Sequence, residues 1–226
     1  RQTLDSLMPL LLYVLTQIVT DKNMEKKYHR DLEYRLLNGS LSEAEEEDVA
    51  NLLKFGVTED YRVITCYLKP ENYKDNFTAS QRKKMEDIEK AILDIVPKEY
   101  AYCNMNQVIC IHKENRKEGK LDLRKKLEEF QRMIQDQLKE GKSEYEFLIG
   151  VGNKVKGYHN LKESFADSKI AIEYIDVIRK IIGDTNKTVV DCSRLGFFQI
   201  FANIKDEKQL RTYIPDTVHE IHQYDI

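Results

Sequence analysis

The 226-residue chain predicts an α+β fold, an antiparallel-containing sheet with packed helices, and three features predict it. Short runs rich in β-branched and aromatic residues read as strands. Longer stretches place apolar residues three and four apart, which is the spacing of one buried helix face. The two kinds of segment alternate as β-α-β-β-α-β and then α-β, the order of a split βαβ, ferredoxin-like sheet with its helices on one face.

The elements follow in order. Residues 1–38 read as a helix in which Leu4, Leu7, Leu11, Val14 and Ile18 form a coiled-coil-like seam that breaks at Asp21 and Glu25. Met8, Leu10, Leu12, Leu15 and Val19 make the other faces apolar, so this helix is expected to be buried all round, by a partner chain or an upstream domain. Dimerisation and plain core packing both account for it. Asn38-Gly39 supplies a helix stop, and Ser42 with Glu45 forms a capping box opening a second helix that ends near Gly56. The acidic run of residues 43–48 then complements the helix dipole.

Residues 61–68 read as a central strand stopped by Pro70, followed by a helix over 80–95 whose Met85, Ile88, Ile92 and Ile95 share a face. Strands at 100–103 and 108–112 flank Asn104-Met105-Asn106-Gln107, which is turn chemistry and predicts a hairpin. A helix over 121–140 carries Leu123, Leu127, Phe130, Ile134 and Leu138 on one stripe. A strand at 146–151, a helix over 161–182 closed by Gly183 and a short strand at 188–191 complete the sheet. From Ser193 onward the pattern is helical in short pieces separated by Asp206 and Pro215. The expected domains are a helical linker and dimerisation segment at 1–58, an α/β domain at 59–192 and a C-terminal helical segment at 193–226.

Composition narrows the function. With 41% hydrophobic and 33% charged residues the chain is a folded one, and its net charge of -3 argues against a strongly basic nucleic-acid surface. The most apolar stretch, residues 7–19, is too short to span a bilayer and contains Pro9 and Gln17. No basic segment or small-residue cleavage site marks it as a signal peptide, and the start at Arg1 without Met suggests an excised fragment. Cys66, Cys103, Cys110 and Cys192 follow no metal or redox spacing, so free thiols in a reduced, cytoplasmic setting are expected. The sequons at Asn38, Asn76 and Asn186 are too short to carry weight without a secretion signal.

Few residues propose chemistry. Gly150, Gly152 and Gly157 give GxGxxxxG in place of a dinucleotide fingerprint, and Tyr158-His159 stand where a Walker loop needs Lys and Ser or Thr. Backbone turning is the expected role of these glycines. His219-Glu220-Ile221-His222 lacks the metalloprotease spacing, and Ser164, Ser168 and Ser193 lie in no nucleophile elbow. A palm-like sheet raises a nucleotide cyclase, which needs carboxylates on the first strand and in the central hairpin to hold magnesium. The strand at 61–68 carries no acid and the hairpin offers amides, while Glu71 and Asp75 fall beyond Pro70 as loop acids. No catalytic, cofactor-binding or metal-binding residue is assigned, and no cofactor is expected.

Ile149-Gly150-Val151-Gly152, Leu161, Ser164-Phe165-Ala166-Asp167-Ser168 and Ala171 together resemble the "IGxG … L … SYxEA … A" pattern of the PucR/CdaR family of bacterial transcriptional regulators. The resemblance runs back through Phe55-Gly56-Val57 and forward through Leu195-Gly196 and Leu210-Arg211 to Tyr224-Asp225, over about residues 30–226. Phe165 and Ser168 replace the usual Tyr and Ala. The resemblance implies a degenerate GGDEF-like domain without catalysis, preceding a DNA-binding helix-turn-helix that would begin about where this chain stops. The expected function is the regulatory, coupling part of a regulator of catabolic genes, a cytoplasmic homodimer through its N-terminal helix that reaches DNA only through the missing domain. Two alternatives stand beside it: a metabolite sensor using the sheet and the loop at 152–159, and a divergent cyclase-like enzyme.

Overall fold

The computed structural model describes residues 2–70, 79–96, 100–114, 120–140, 145–183 and 187–196. The chain divides into two compact units, Arg1–Glu59 with Lys156–Lys162, and Asp60–Val155 with Glu163–Ile226. The pieces expected after residue 196, the His219/His222 pair, and Glu71 and Asp75 lie outside the described residues.

The first unit is helical. α1 spans Gln2–Leu37, 36 residues or about 54 Å. Its stop is the one the sequence spells: Gly39 takes φ 63°, and the Gly39 and Ser40 amides donate back to the Leu36 and Arg35 carbonyls. α2 spans Glu43–Leu53, with the full capping box, in which the Ser42 hydroxyl accepts from the Glu45 amide and the Glu45 carboxylate accepts from the Ser42 amide. The Ser42 amide and hydroxyl, both donating to the Glu45 carboxylate, hold it below its ordinary range, the amide contributing most. Ser42→Ala removes the cap, and a stability loss of about 1 kcal/mol is expected in urea unfolding followed by circular dichroism. Leu32, Leu36 and Leu37 of α1 are buried, as are Val49, Ala50 and Leu53 of α2. Residues 12–25 of α1 behave otherwise. Leu12, Val14, Leu15, Ile18 and Val19 are exposed, so the described residues do not supply the all-round burial that their pattern requires.

The second unit is the sheet. β1 (Asp60–Pro70), β2 (Ala101–Asn104), β3 (Gln107–Lys113), β4 (Tyr145–Val151) and β6 (Val189–Asp191) form the order β2-β3-β1-β4-β6, with the two-residue β5 (Val155–Lys156) off this path. β1 is central and antiparallel to both β3 and β4, while β6 joins β4 in parallel. α3 (Ala79–Ala91), α4 (Lys120–Glu140), α5 (Leu161–Glu173) and α6 (Ile175–Ile182) complete the fold.

Alternation along the strands sorts the core into two layers. Ile64, Cys66 and Leu68 of β1 pack with Phe147, Ile149 and Val151 of β4 against Met85 and Ile88 of α3 and Leu127, Phe130 and Ile134 of α4. Leu148 and Val190, pointing the other way, meet Ala171 of α5 and Ile175 and Ile178 of α6. Helices therefore cover both faces, not one. The β4-β6 crossover runs through α5 and α6 over one face, as a parallel pair requires, and α3 and α4 pack on the other. The helix expected over 161–182 is also two helices, broken at Tyr174, whose φ -93° and ψ 7° leave the helical region.

All four cysteines are free thiols. Burial pushes the Cys192 thiol up to about 12, and the neighbouring Asp167 charge adds to it. Cys66 and Cys110 are buried, whereas Cys103 is half-buried at the end of β2. In the native protein at pH 8, iodoacetamide is expected to label Cys103 alone, and the other three only in denaturant, as read by mass spectrometry.

Candidate functional site

Two features of the sheet unit account for the residues the sequence singles out. The first is the junction of β4 with α5. An added Cβ on Gly150 would lie 2.1 Å from the Ser168 carbonyl oxygen, and one on Gly152 would lie 2.0 Å from that of Ser164. The Gly-x-Gly pair lets a helix backbone approach a strand backbone, which is a different role from the turning expected of it. Gly157 does turn, with φ 73°.

The approach brings hydroxyls into the space between β1 and α5. The Ser164 hydroxyl accepts from the Val63 amide at 2.9 Å and donates to the Asn153 carbonyl at 2.7 Å. The Ser168 hydroxyl lies 2.7 Å from the Thr65 hydroxyl and 2.8 Å from the Phe165 carbonyl. Ser164, Ser168 and Thr65 are all fully buried, so these bonds satisfy groups that water does not reach. Ser164 and Ser168 fasten α5 to β1 and to the chain around it. Arg62 closes the same end of the sheet, its guanidinium donating to the Glu114 carboxylate and, at 3.1 Å, to the Gly152 carbonyl.

The second feature is a groove of about 520 Å³ on the α5 and α6 side of the sheet. Tyr67 of β1, Gln107 of β3 and Leu148 of β4 sit side by side in register and form its floor. Lys169 and Ile172 of α5 line one wall, and Asn106 and Lys69 line the end beside the hairpin. The Lys69 ammonium donates to the Asp176 carboxylate at 3.1 Å, and this bond holds the Asp176 carboxyl below the usual carboxylate range. None of the residues at 152–159 lines this groove.

The end of β1 and the hairpin turn lie side by side. Tyr67 pairs with Gln107, and the Leu68 amide donates to the Asn106 carbonyl at 3.0 Å. The residues meeting there are amides. β1 begins one residue earlier than the sequence reading and so contains an acid, Asp60, but it lies at the opposite end of the strand from the hairpin turn and pairs with Lys154 at 3.1 Å. Among the described residues no three His, Cys, Asp or Glu side chains gather as a metal-binding group. Lys169, Ile172, Glu173 and Asp176 were illegible as site residues, since on a helix they read only as surface spacing.

No protein-family model matches the chain, and no curated protein is significantly similar to it. Fold and site define its class: an α+β module in which the end of β1 meets a hairpin carrying Asn104, Asn106 and Gln107. Among the described residues no helix is long and apolar enough to cross a membrane.

Proposed function

We propose that this chain is the non-catalytic, coupling module of a PucR/CdaR-type transcriptional regulator, acting in the cytoplasm as a dimer. One observation carries the reading. The junction of β1 with the hairpin, where a cyclase of this architecture places its metal-holding carboxylates, carries Asn104, Asn106 and Gln107, whose neutral amides do not offset divalent charge. The Gly150/Gly152 interlock supports it as well, because the segment carrying the resemblance is the one that fastens α5 to the sheet.

The exposed apolar residues of α1 supply the dimer surface, two copies packing along the seam through Val14 and Ile18. A two-fold dimer suits DNA read as two half-sites.

The test uses the complete gene product, including whatever the reading frame encodes after Ile226, incubated with its own promoter DNA in an electrophoretic assay. Retardation is expected, and loss of retardation when the chain is cut back to Ile226. Absence of retardation by the complete product, or formation of a cyclic nucleotide from GTP or ATP with magnesium, overturns the reading. Light scattering is expected to show a dimer of residues 1–226 at micromolar concentration and a monomer for Ile18→Asp.

A further inference from the structure

The groove beside the hairpin holds four charged side chains, Lys69, Lys169, Glu173 and Asp176. Lys69 and Asp176 neutralise each other at 3.1 Å, and Arg179 gives Asp176 a second partner at 3.2 Å. Lys169 and Glu173 differ. They stand one turn apart on α5, both line the groove, and among the described residues neither forms an ion pair within 4.0 Å. The Lys169 ammonium instead lies 4.2 Å from the centre of the Phe165 ring. A lysine preceding a glutamate by four residues is also the weaker orientation for pairing along a helix, so the helix gains little by closing the two charges on each other.

The remaining lining suits a small polar molecule with an apolar part. Leu148, Ile172 and the Tyr67 ring offer apolar surface, and Asn106 and Gln107 offer amide donors and acceptors. The volume, about 520 Å³, falls within the range of small-molecule sites. Two lysines are balanced by Glu173 and Asp176, so a polyanion such as a nucleoside triphosphate meets no excess of positive charge.

We infer that this groove binds a zwitterion of the α-amino-acid type. Its carboxylate pairs with Lys169, its ammonium pairs with Glu173, and its side chain lies over Leu148, Ile172 and Tyr67. Each end forms a charge-assisted hydrogen bond that the unliganded groove leaves unmade. The groove is bounded by α5, so occupancy bears on the helix that the glycine interlock fastens to β4.

Thermal unfolding of the whole 226-residue chain against the twenty proteinogenic α-amino acids tests this. The controls are analogues of any hit that lack either the amine or the carboxylate. At least one amino acid is expected to raise Tm by about 5 °C when present at about 100 times its Kd. Lys169→Met and Glu173→Gln are each expected to weaken binding by about 10-fold or more in calorimetry, with the ligand-free Tm unchanged for Glu173→Gln and lowered only by the lost Lys169–Phe165 contact for Lys169→Met. The inference is overturned if none of the twenty shifts Tm, if the shift persists undiminished in both variants, or if the one-charge analogues bind as tightly as the parent. It does not depend on the regulator reading, since promoter retardation by the complete product is read in a separate assay and can succeed or fail whatever the groove binds.

Discussion

Gly152→Ala is expected to destabilise the sheet unit by about 3 kcal/mol or more, at the upper end of what overpacking does. The new Cβ would lie 2.0 Å from the Ser164 carbonyl oxygen, 2.5 Å from its hydroxyl and 2.8 Å from its carbonyl carbon. Two of these are backbone atoms that no rotamer change removes. Relief requires α5 to lift from β4. Lifting it breaks the Val63-to-Ser164 bond at 2.9 Å and strains the Gly152 amide bond to the Val63 carbonyl at 2.8 Å. Gly183→Ala is the control. Gly183 has φ 71° and nothing within 4 Å of an added Cβ, so only the backbone preference is lost, about 1 kcal/mol. Urea unfolding followed by circular dichroism should show the Gly152 midpoint falling well below the Gly183 midpoint at unchanged slope. Equal losses for the two variants would mean that α5 docks loosely enough to yield.

Arg62→Met is expected to cost about 3 kcal/mol. The Arg62 side chain is 6% exposed and the Glu114 side chain 20% exposed, so the pair is largely desolvated. Removing the guanidinium leaves the Glu114 carboxylate with Lys154 at 3.8 Å and leaves the Gly152 carbonyl without its donor. Because most of that loss is the cost of a carboxylate left with only the more distant Lys154, Arg62→Met combined with Glu114→Gln should recover part of it. The four-way comparison in urea gives the coupling directly. A double variant no more stable than Arg62→Met alone would place the loss in packing of the arginine stem instead.

Much of this fold is legible because its signals are local. The Ser42/Glu45 box, the Asn38-Gly39 stop and the Asn104–Gln107 turn each act within a few residues, and each appears where the sequence places it. The strand run in β1 and the stripe from Leu123 to Leu138 on α4 are periodic, and periodicity survives folding as a buried face. The break at Tyr174 escaped, because Ile170, Ala171, Ile175 and Ile178 keep a continuous helical spacing across it.

The groove escaped for a related reason. Its floor comes from three strands and its wall from a helix, drawn from residues 67 to 176, so no short window of sequence contains it. The glycines of the IGVG segment were visible as a motif, but their role was not, since a glycine needed for turning and one needed for close approach are spelled alike. By itself, the sequence determined the element order, the apolar faces and the neutral character of the hairpin, since composition, periodicity and turn chemistry act over a few residues. Only the tertiary structure decided that helices cover both faces, that Arg62 reaches Glu114 and that Lys169 and Glu173 overlook a groove. Those facts depend on which segments the sheet register brings side by side.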